Sequence, residues 1–228
     1  MPDFNSYAQD YRDIINKVSR ISGETYEFFI RLRLSLMKAK LDAIGELPLS
    51  ILDFGCGIGV TERFFEELFP HSTIRGIDTS AESIRTAREL GLHRSLFDVL
   101  DSDRLPYTAG SFDLAYSNGT MHHIVREKHW QAISELHRVL CPGGHLFIFE
   151  NNPLNPLMMR AMRKNPFDAD AEVVHPRYLK YMVRQCNFTF RCINYYFFFP
   201  KMLSRLRALE KYMIHLPLGA QYFLWATK

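Results

Sequence analysis

A short apolar run, SILDF, stops at a turn that carries glycine at every second position: Gly55, Gly57 and Gly59. A strand interior disfavours glycine, which packs nothing and loses the most backbone freedom on ordering. Three of them where a strand stops, with the helical pattern TERFFEELF just beyond, confine this stretch to a strand–turn–helix whose turn another group approaches closely. The dinucleotide fingerprint G-x-G-x-x-G does not fit. Counted from Gly55 its third glycine falls on Val60, and from Gly57 on Glu62. No Gly-Lys-Ser/Thr follows, so the phosphate-loop pattern fails as well. What stands is Asp53-x-Gly55-x-Gly57-x-Gly59, with Asp78 nineteen residues past the last glycine. Asp78 closes the next apolar run, STIRGID, where an acid can accept hydrogen bonds from both hydroxyls of a ribose.

The alternation continues down the middle of the chain. SLFDVLD, SFDLAYSNG and GHLFIFE read as strands, with SAESIRTARELG and REKHWQAISELHRVL as helices and CPGG as a turn. Ser80 stands where a helix N-cap would. Apolar strands alternating with helices predict an α/β fold, a doubly wound and mostly parallel seven-stranded sheet with helices on both faces. Ahead of it, residues 5–44 read as two helical segments, the first with apolar positions 11, 14, 15, 18 and 21, the second TYEFFIRLRLSLMKAKLDAIG. Behind it come the loop NNPLNP, the Met-rich PLMMRAMRK, a helix HPRYLKYMVRQCN, a strand RCINYYFFFP, a helix KMLSRLRALEKYMIHL, a PLGA turn and a last strand QYFLWATK. One domain over 1–228 accounts for the pattern, with N-terminal helices over 1–48, the glycine-loop core over 49–150 and a C-terminal part over 151–228.

Composition narrows the class. The chain is 47% hydrophobic and 23% charged, ordinary for a globular domain. No run approaches the roughly 20 apolar residues of a membrane span, and MPDFNSYAQDYRD lacks the basic and apolar regions of a secretory signal, so a cytoplasmic protein is expected. Cys56, Cys141, Cys186 and Cys192 are scattered, and no Cys/His spacing suggests a metal. Charge is uneven: Lys and Arg against Asp and Glu number 7 to 7 over residues 1–50, 9 to 14 over 51–150 and 12 to 4 over 151–228. A basic C-terminal third suits an anionic surface.

Five pieces in order then resemble the class I S-adenosylmethionine-dependent methyltransferases: LDFGCGIG, GIDTS, LDSDRLPY, SFDLAYSNGTMHH and HRVLCPGGHLFIFE. The resemblance is firm over about residues 50–150 and loose outside. It implies S-adenosylmethionine as cofactor, a helical lid from the N-terminal segments (Tyr11, Ser22, Gly23 and Tyr26 stand where one would close) and a helical insertion before the last strand. It implies a cofactor set of Asp53, Gly55, Cys56, Gly57, Asp78, Thr79, Asp101, Ser102, Ser117 and Asn118. Asp98 is an alternative at the adenine edge, and Gly59 a packing residue.

The chemistry asks mainly for alignment of a nucleophile, and a hydroxyl acceptor also needs a base. His122 and His123 follow the fourth strand and Glu150 ends the fifth, which makes them the catalytic candidates; Asn151 and Asn152 extend that polar edge. No metal is called for. The resemblance implies transfer to a small-molecule or lipid- or glycan-linked acceptor, with no nucleic acid, since SNGT stands where a base-binding NPPY-type motif would. Methylation of a protein or nucleic acid, or a SAM-binding protein without catalysis, are the alternatives. The apolar and basic residues of PKMLSRLRALEKYMIHL and of the Met158, Met159 and Met162 group suit an acceptor entrance touching an anionic membrane; a stripe buried on the sheet is the alternative.

Overall fold

A computed structural model of the protein describes residues 22–165, 168 and 171–228. The first helical segment, with Tyr11, lies outside the described residues. Helix α1 (Tyr26–Asp42) is capped by Thr25, whose side chain accepts the Phe28 N–H. Then follow β1 (Ser50–Phe54), α2 (Val60–Leu68), β2 (Thr73–Asp78), α3 (Ala81–Arg88), β3 (Ser95–Val99), β4 (Phe112–Asn118), α4 (His129–Val139) and β5 (Leu140–Asn151). The C-terminal part adds α5 (Pro156–Met162), α6 (Pro176–Gln185), β6 (Thr189–Tyr196), α7 (Glu210–Met213) and β7 (Gln221–Thr227).

The seven strands form one sheet in the order β3-β2-β1-β4-β5-β7-β6. The pairs β1–β2, β2–β3, β1–β4 and β4–β5 are parallel, whereas β7 runs antiparallel to both β5 and β6. The sheet is therefore mixed but mostly parallel. After β3 the chain crosses back to lay β4 beside β1. The order reverses there, and beyond the carboxyl ends of those strands an open α/β sheet leaves a crevice.

Neighbouring residues on the central strands serve opposite layers. Ile51, Leu114, Phe147 and Phe223 pack with α1 and α2. Leu52, Ala115, Ile148 and Leu224 pack with α4 and α6. This two-sided burial is why these strands read as continuous apolar runs rather than alternating ones. Each fully buried large side chain contributes about 1.5–3 kcal/mol.

Several expectations need correction. The described N-terminal helix is no lid: Phe29, Ile30, Leu34, Met37 and Leu41 are buried in the sheet-face core. An apolar stripe that wide has more to gain on the sheet than over a polar cleft. CPGG is not a free turn but part of β5, absorbed by a register shift that pairs Phe112 with Leu140 and Leu114 with His145. Strand β6 stops at Tyr196, before FFFP. KMLSRLRALEKYMIHL is not one helix. It forms a 3-10 stretch over Lys201–Leu209, non-helical at Leu203, and then the single turn of α7. None of its residues is buried. Without a face to bury, helical propensity alone does not hold a long α-helix.

Candidate active site

The glycine turn folds back over the end of β2. Gly55 and Cys56 donate their N–H groups to the Ile77 carbonyl, and Gly57 donates to Asp78 Oδ2 at 2.9 Å. Asp78 Oδ1 accepts the Ser80 N–H at 2.9 Å, and Ser80 in turn caps α3. Gly55 has a φ of +84°, and a Cβ there would collide with the Thr120 side chain. At Gly57, with a φ of +55°, an added Cβ would meet nothing within 4 Å. The backbone there faces open space, so a ligand can lie against it. Gly59 serves packing, because its Cβ would collide with Ala87 and Phe97.

A cleft of about 710 Å³ opens over this turn. Gly55, Gly57, Asp78, Thr79, Asp101, Ser102 and Asn118 line it, together with His123. Leu100, Leu105, Ile124 and Ala132 give it apolar walls, which suit the faces of a heteroaromatic ring. These residues fit a nucleoside carrying a methionyl arm: two acceptor oxygens on Asp78, a bare backbone at Gly57 and a flat apolar flank. Asp53, Cys56 and Ser117 lie beneath the cleft, buried, rather than on its surface. Asp98 is occupied by the Tyr107 hydroxyl at 2.9 Å and by Arg75, leaving the cleft edge to Asp101 and Ser102. Asp113 anchors the start of β1, accepting the Leu49 and Ser50 N–H groups.

Beneath the turn sits a negative cluster that the motif only partly announces. Glu62, in the first turn of α2, is fully buried, and neither carboxylate oxygen has a hydrogen-bond partner among the described residues. It lies over Gly76, where a Cβ would meet its Oε1 at 2.6 Å. Burial, then the charge of Asp53, pushes the Glu62 carboxyl well above the usual range. Burial and then Asp78 do the same to Asp53. Asp78 is raised by burial against the opposing pull of the Ser80 and Gly57 N–H groups. The Cys56 thiol is raised by burial and then by Glu62.

The three catalytic candidates meet as the sheet order places them, β4 beside β5. The buried Glu150 accepts the Met121 N–H at 3.0 Å through Oε1 and the His122 Nδ1–H at 2.6 Å through Oε2. A residue outside the motifs joins them. Asp168 brings Oδ1 within 3.4 Å of His122 Nε2 and 3.9 Å of His123 Nε2. Burial would lower the His122 pKa, but Glu150 and Asp168 override it and push it up to about 10. Burial and then the His122 charge push His123 down to about 4. Only His123 of these reaches the cleft. Asn151 and Asn152 tie loops instead: Asn152 Nδ2 donates to the Pro217 and Gly219 carbonyls, and Asn151 Oδ1 accepts from Gln221. His175 caps α6 through Nδ1.

Nothing in the spacing NPFDADAEVV singles out Asp168. Glu62 had a signal, because Thr61, Glu62, Phe64 and Phe65 form the buried face of α2, and an acid on such a face is rarely idle.

Comparison with known proteins follows this geometry. Residues 52–148 match the family model described as a methyltransferase domain. A malonyl-[acyl-carrier protein] O-methyltransferase of Legionella pneumophila is 27% identical over 157 residues, covering 66% of this chain and 49% of its own. A chloroplastic tocopherol O-methyltransferase of Arabidopsis thaliana is 32% identical over 103 residues, covering 43% and 29%. This chain thus spans about half or less of those curated relatives. Among solved structures, a SAM-dependent methyltransferase of Thermotoga maritima superposes with a TM-score of 0.67 at 20% identity, covering 99% of this chain and 98% of that one.

Proposed function

We propose that this chain, whose residues 52–148 match the methyltransferase-domain model, transfers a methyl group from S-adenosylmethionine to a small acceptor. The carrying observation is the convergence of Gly55, Gly57, Asp78, Asp101 and Asn118 on one cleft inside the matched stretch. The bound cofactor supplies an activated methyl group on a sulfonium. The protein's part is placement. Asp78 holds the ribose hydroxyls while its own oxygens are fixed by Gly57 and Ser80. Asp53 and Glu62, whose carboxyls burial holds above the usual range, lie under the turn, where a cationic guest would favour their ionised form. Leu100 and Leu105 exclude water from the cleft. Asn118 and His123 bound the side on which the acceptor's polar group is aligned, and such alignment contributes several kcal/mol. Glu150, through His122, keeps that side rigid.

The names of the relatives, a malonyl-[acyl-carrier protein] O-methyltransferase and a tocopherol O-methyltransferase, support a small acceptor, free or carried on a lipid or carrier. Purified protein should convert S-adenosylmethionine to S-adenosylhomocysteine when given an extract fraction that holds the acceptor, and not without it. If neither polar nor lipid fractions promote turnover while S-adenosylhomocysteine still binds, the catalytic reading gives way to a binding protein.

One observation favours a second element, contact with an anionic membrane. Met202 is 89% exposed, Leu157 77% and Tyr212 76%, and Leu203, Leu206, Leu209, Leu216 and Leu218 are exposed as well. Lys201, Arg205 and Lys211 stand among them, exposed. Such a mixture adds apolar insertion to attraction for anionic lipid. Arg207 is excluded from this role, since it is tied to Glu24 at 2.8 Å and to the Phe199 carbonyl. Among the described residues no helix is long and apolar enough to span a membrane. Cosedimentation with anionic but not neutral vesicles at low salt is the expected result; no binding to either removes the membrane.

A further inference from the structure

We propose that His122, His123 and Asp168 form a divalent-cation site at the His123 side of the cleft, with Glu150 and Asn165 as its supporting shell. The two imidazole rings lie 4.2 Å apart, centre to centre. Both turn Nε2 toward the same carboxylate atom, Asp168 Oδ1, at 3.4 and 3.9 Å. Ligand atoms bound at roughly 2.0–2.1 Å to one ion are separated by about 3.0–3.4 Å, so the first pair already stands at that spacing and the second closes with a small turn of the His123 ring. All three donor atoms lie within 4.8 Å of one another.

The supporting groups are those a metal centre needs. His122 donates Nδ1–H to Glu150 at 2.6 Å, which fixes the ring and aims Nε2 at Asp168, where a bound ion would take the place of the Nε2 proton. Glu150 is itself pinned by the Met121 N–H. The other oxygen of Asp168, Oδ2, accepts from Asn165 Nδ2 at 2.9 Å, which aims Oδ1 at the histidines. The His122 carbonyl accepts the Glu172 N–H at 2.8 Å. A carboxylate behind a ligating histidine is the usual outer partner of a bound metal. Two nitrogens and one oxygen select zinc, cobalt, manganese or iron in the divalent state over magnesium or calcium. His122 and Asp168 are nearly buried, and His123 lines the cleft. Of the three ligands His123 alone lines the cleft, so the cleft is the side from which an oxygen of an acceptor would complete the set and be polarised. The use of the ion rests on the methyl-transfer reading; its binding does not.

The test uses the full chain, freed of metal by chelator and of any His tag. Cobalt(II) is titrated with visible absorption as readout and zinc with calorimetry, and S-adenosylhomocysteine is titrated into the same samples. One saturable site per chain is expected, weakened at least tenfold by Asp168→Asn and by His123→Ala and untouched by the exposed His71→Ala. Where His123→Ala unfolds, the near-isosteric Asp168→Asn carries the comparison. No saturable site for either metal, or equal affinity in Asp168→Asn and wild type, overturns the proposal and leaves a hydrogen-bonded Glu–His–Asp chain. S-adenosylhomocysteine binding without metal binding overturns only the cation site; metal binding without S-adenosylhomocysteine binding overturns the methyl-transfer reading and keeps the site.

Discussion

Two buried clusters of charge flank the cleft, and they are built on opposite plans. Under the glycine turn Asp53, Glu62 and Asp78 repel one another, and both oxygens of Glu62 lack a hydrogen-bond partner among the described residues. Behind His123, Glu150 and Asp168 enclose His122, and the contacts of His122 with both carboxylates join unlike charges or a donor to an acceptor. The first cluster is costly as it stands and gains when a positive group arrives. The second is already balanced and contributes rigidity. Burying a charge without a partner is expensive, while removing one member of a buried pair exposes the same cost in the other. A carboxyl deletion should therefore have opposite signs in the two places.

The largest effect is expected at the balanced cluster. Glu150→Ala strips the Met121 N–H and the His122 ring of their acceptor and should cost about 3–5 kcal/mol in urea unfolding. A loss below about 1 kcal/mol would mean that the pair does not hold this edge together. Next comes ligand binding over the turn. Asp78→Ala should weaken S-adenosylhomocysteine by about 1.5–3 kcal/mol, the scale of hydrogen bonds to a charged group; equal calorimetric affinities would remove Asp78 from the site.

At the repelling cluster the sign turns. Burial and Asp53 hold the Glu62 carboxyl above its ordinary range, so as pH rises the unfolded chain gives up this proton before the folded one does. The contribution to stability is full below the unfolded pKa and is lost as pH climbs toward the folded one. Glu62→Gln should raise the stability of the ligand-free protein at pH 8 by about 1–3 kcal/mol and flatten its decline between pH 5 and pH 8. A destabilised mutant at pH 8 would show that Glu62 is not the strained member. Smallest of all, Met202→Ser should change stability by less than about 0.5 kcal/mol, yet reduce recovery with anionic vesicles. A large fall in melting temperature would place that side chain in a core instead.

Legibility in the sequence followed the same divide. The glycine turn, Asp78 and the strand alternation are local in the chain, because backbone turns and two-sided strands write themselves into consecutive residues. The pairing of Glu150 with His122 could be anticipated from strand ends at one sheet edge. Asp168 could not, since it stands more than forty residues beyond the histidines in the chain, and no periodicity encodes that meeting. The α1 stripe was legible as a helix but not as a sheet-packing one, because amphipathicity says that a face is buried and not against what. The 201–213 segment misled for the complementary reason: its helical spacing has no partner surface to make it count.

The place of β7 bears on how the molecule is assembled. Within the sheet β6 touches no strand but β7, and β7 divides it from β5. The strand that leads into Gly55 and those that carry Asp78 and Asn118 all precede residue 119 and can zip together as they emerge from the ribosome. Strand β6 has no neighbour to join until residues 221–227 exist. Pairings of such long sequence separation form late, after loop closure has been achieved. The nucleoside half is thus free to take shape early, whereas the β6–β7 hairpin docks onto β5 as one unit. Until it does, Phe147 and Phe149 of β5 lack Phe223 and Trp225 against which they finally pack, leaving an aromatic strand edge that a chaperone would recognise.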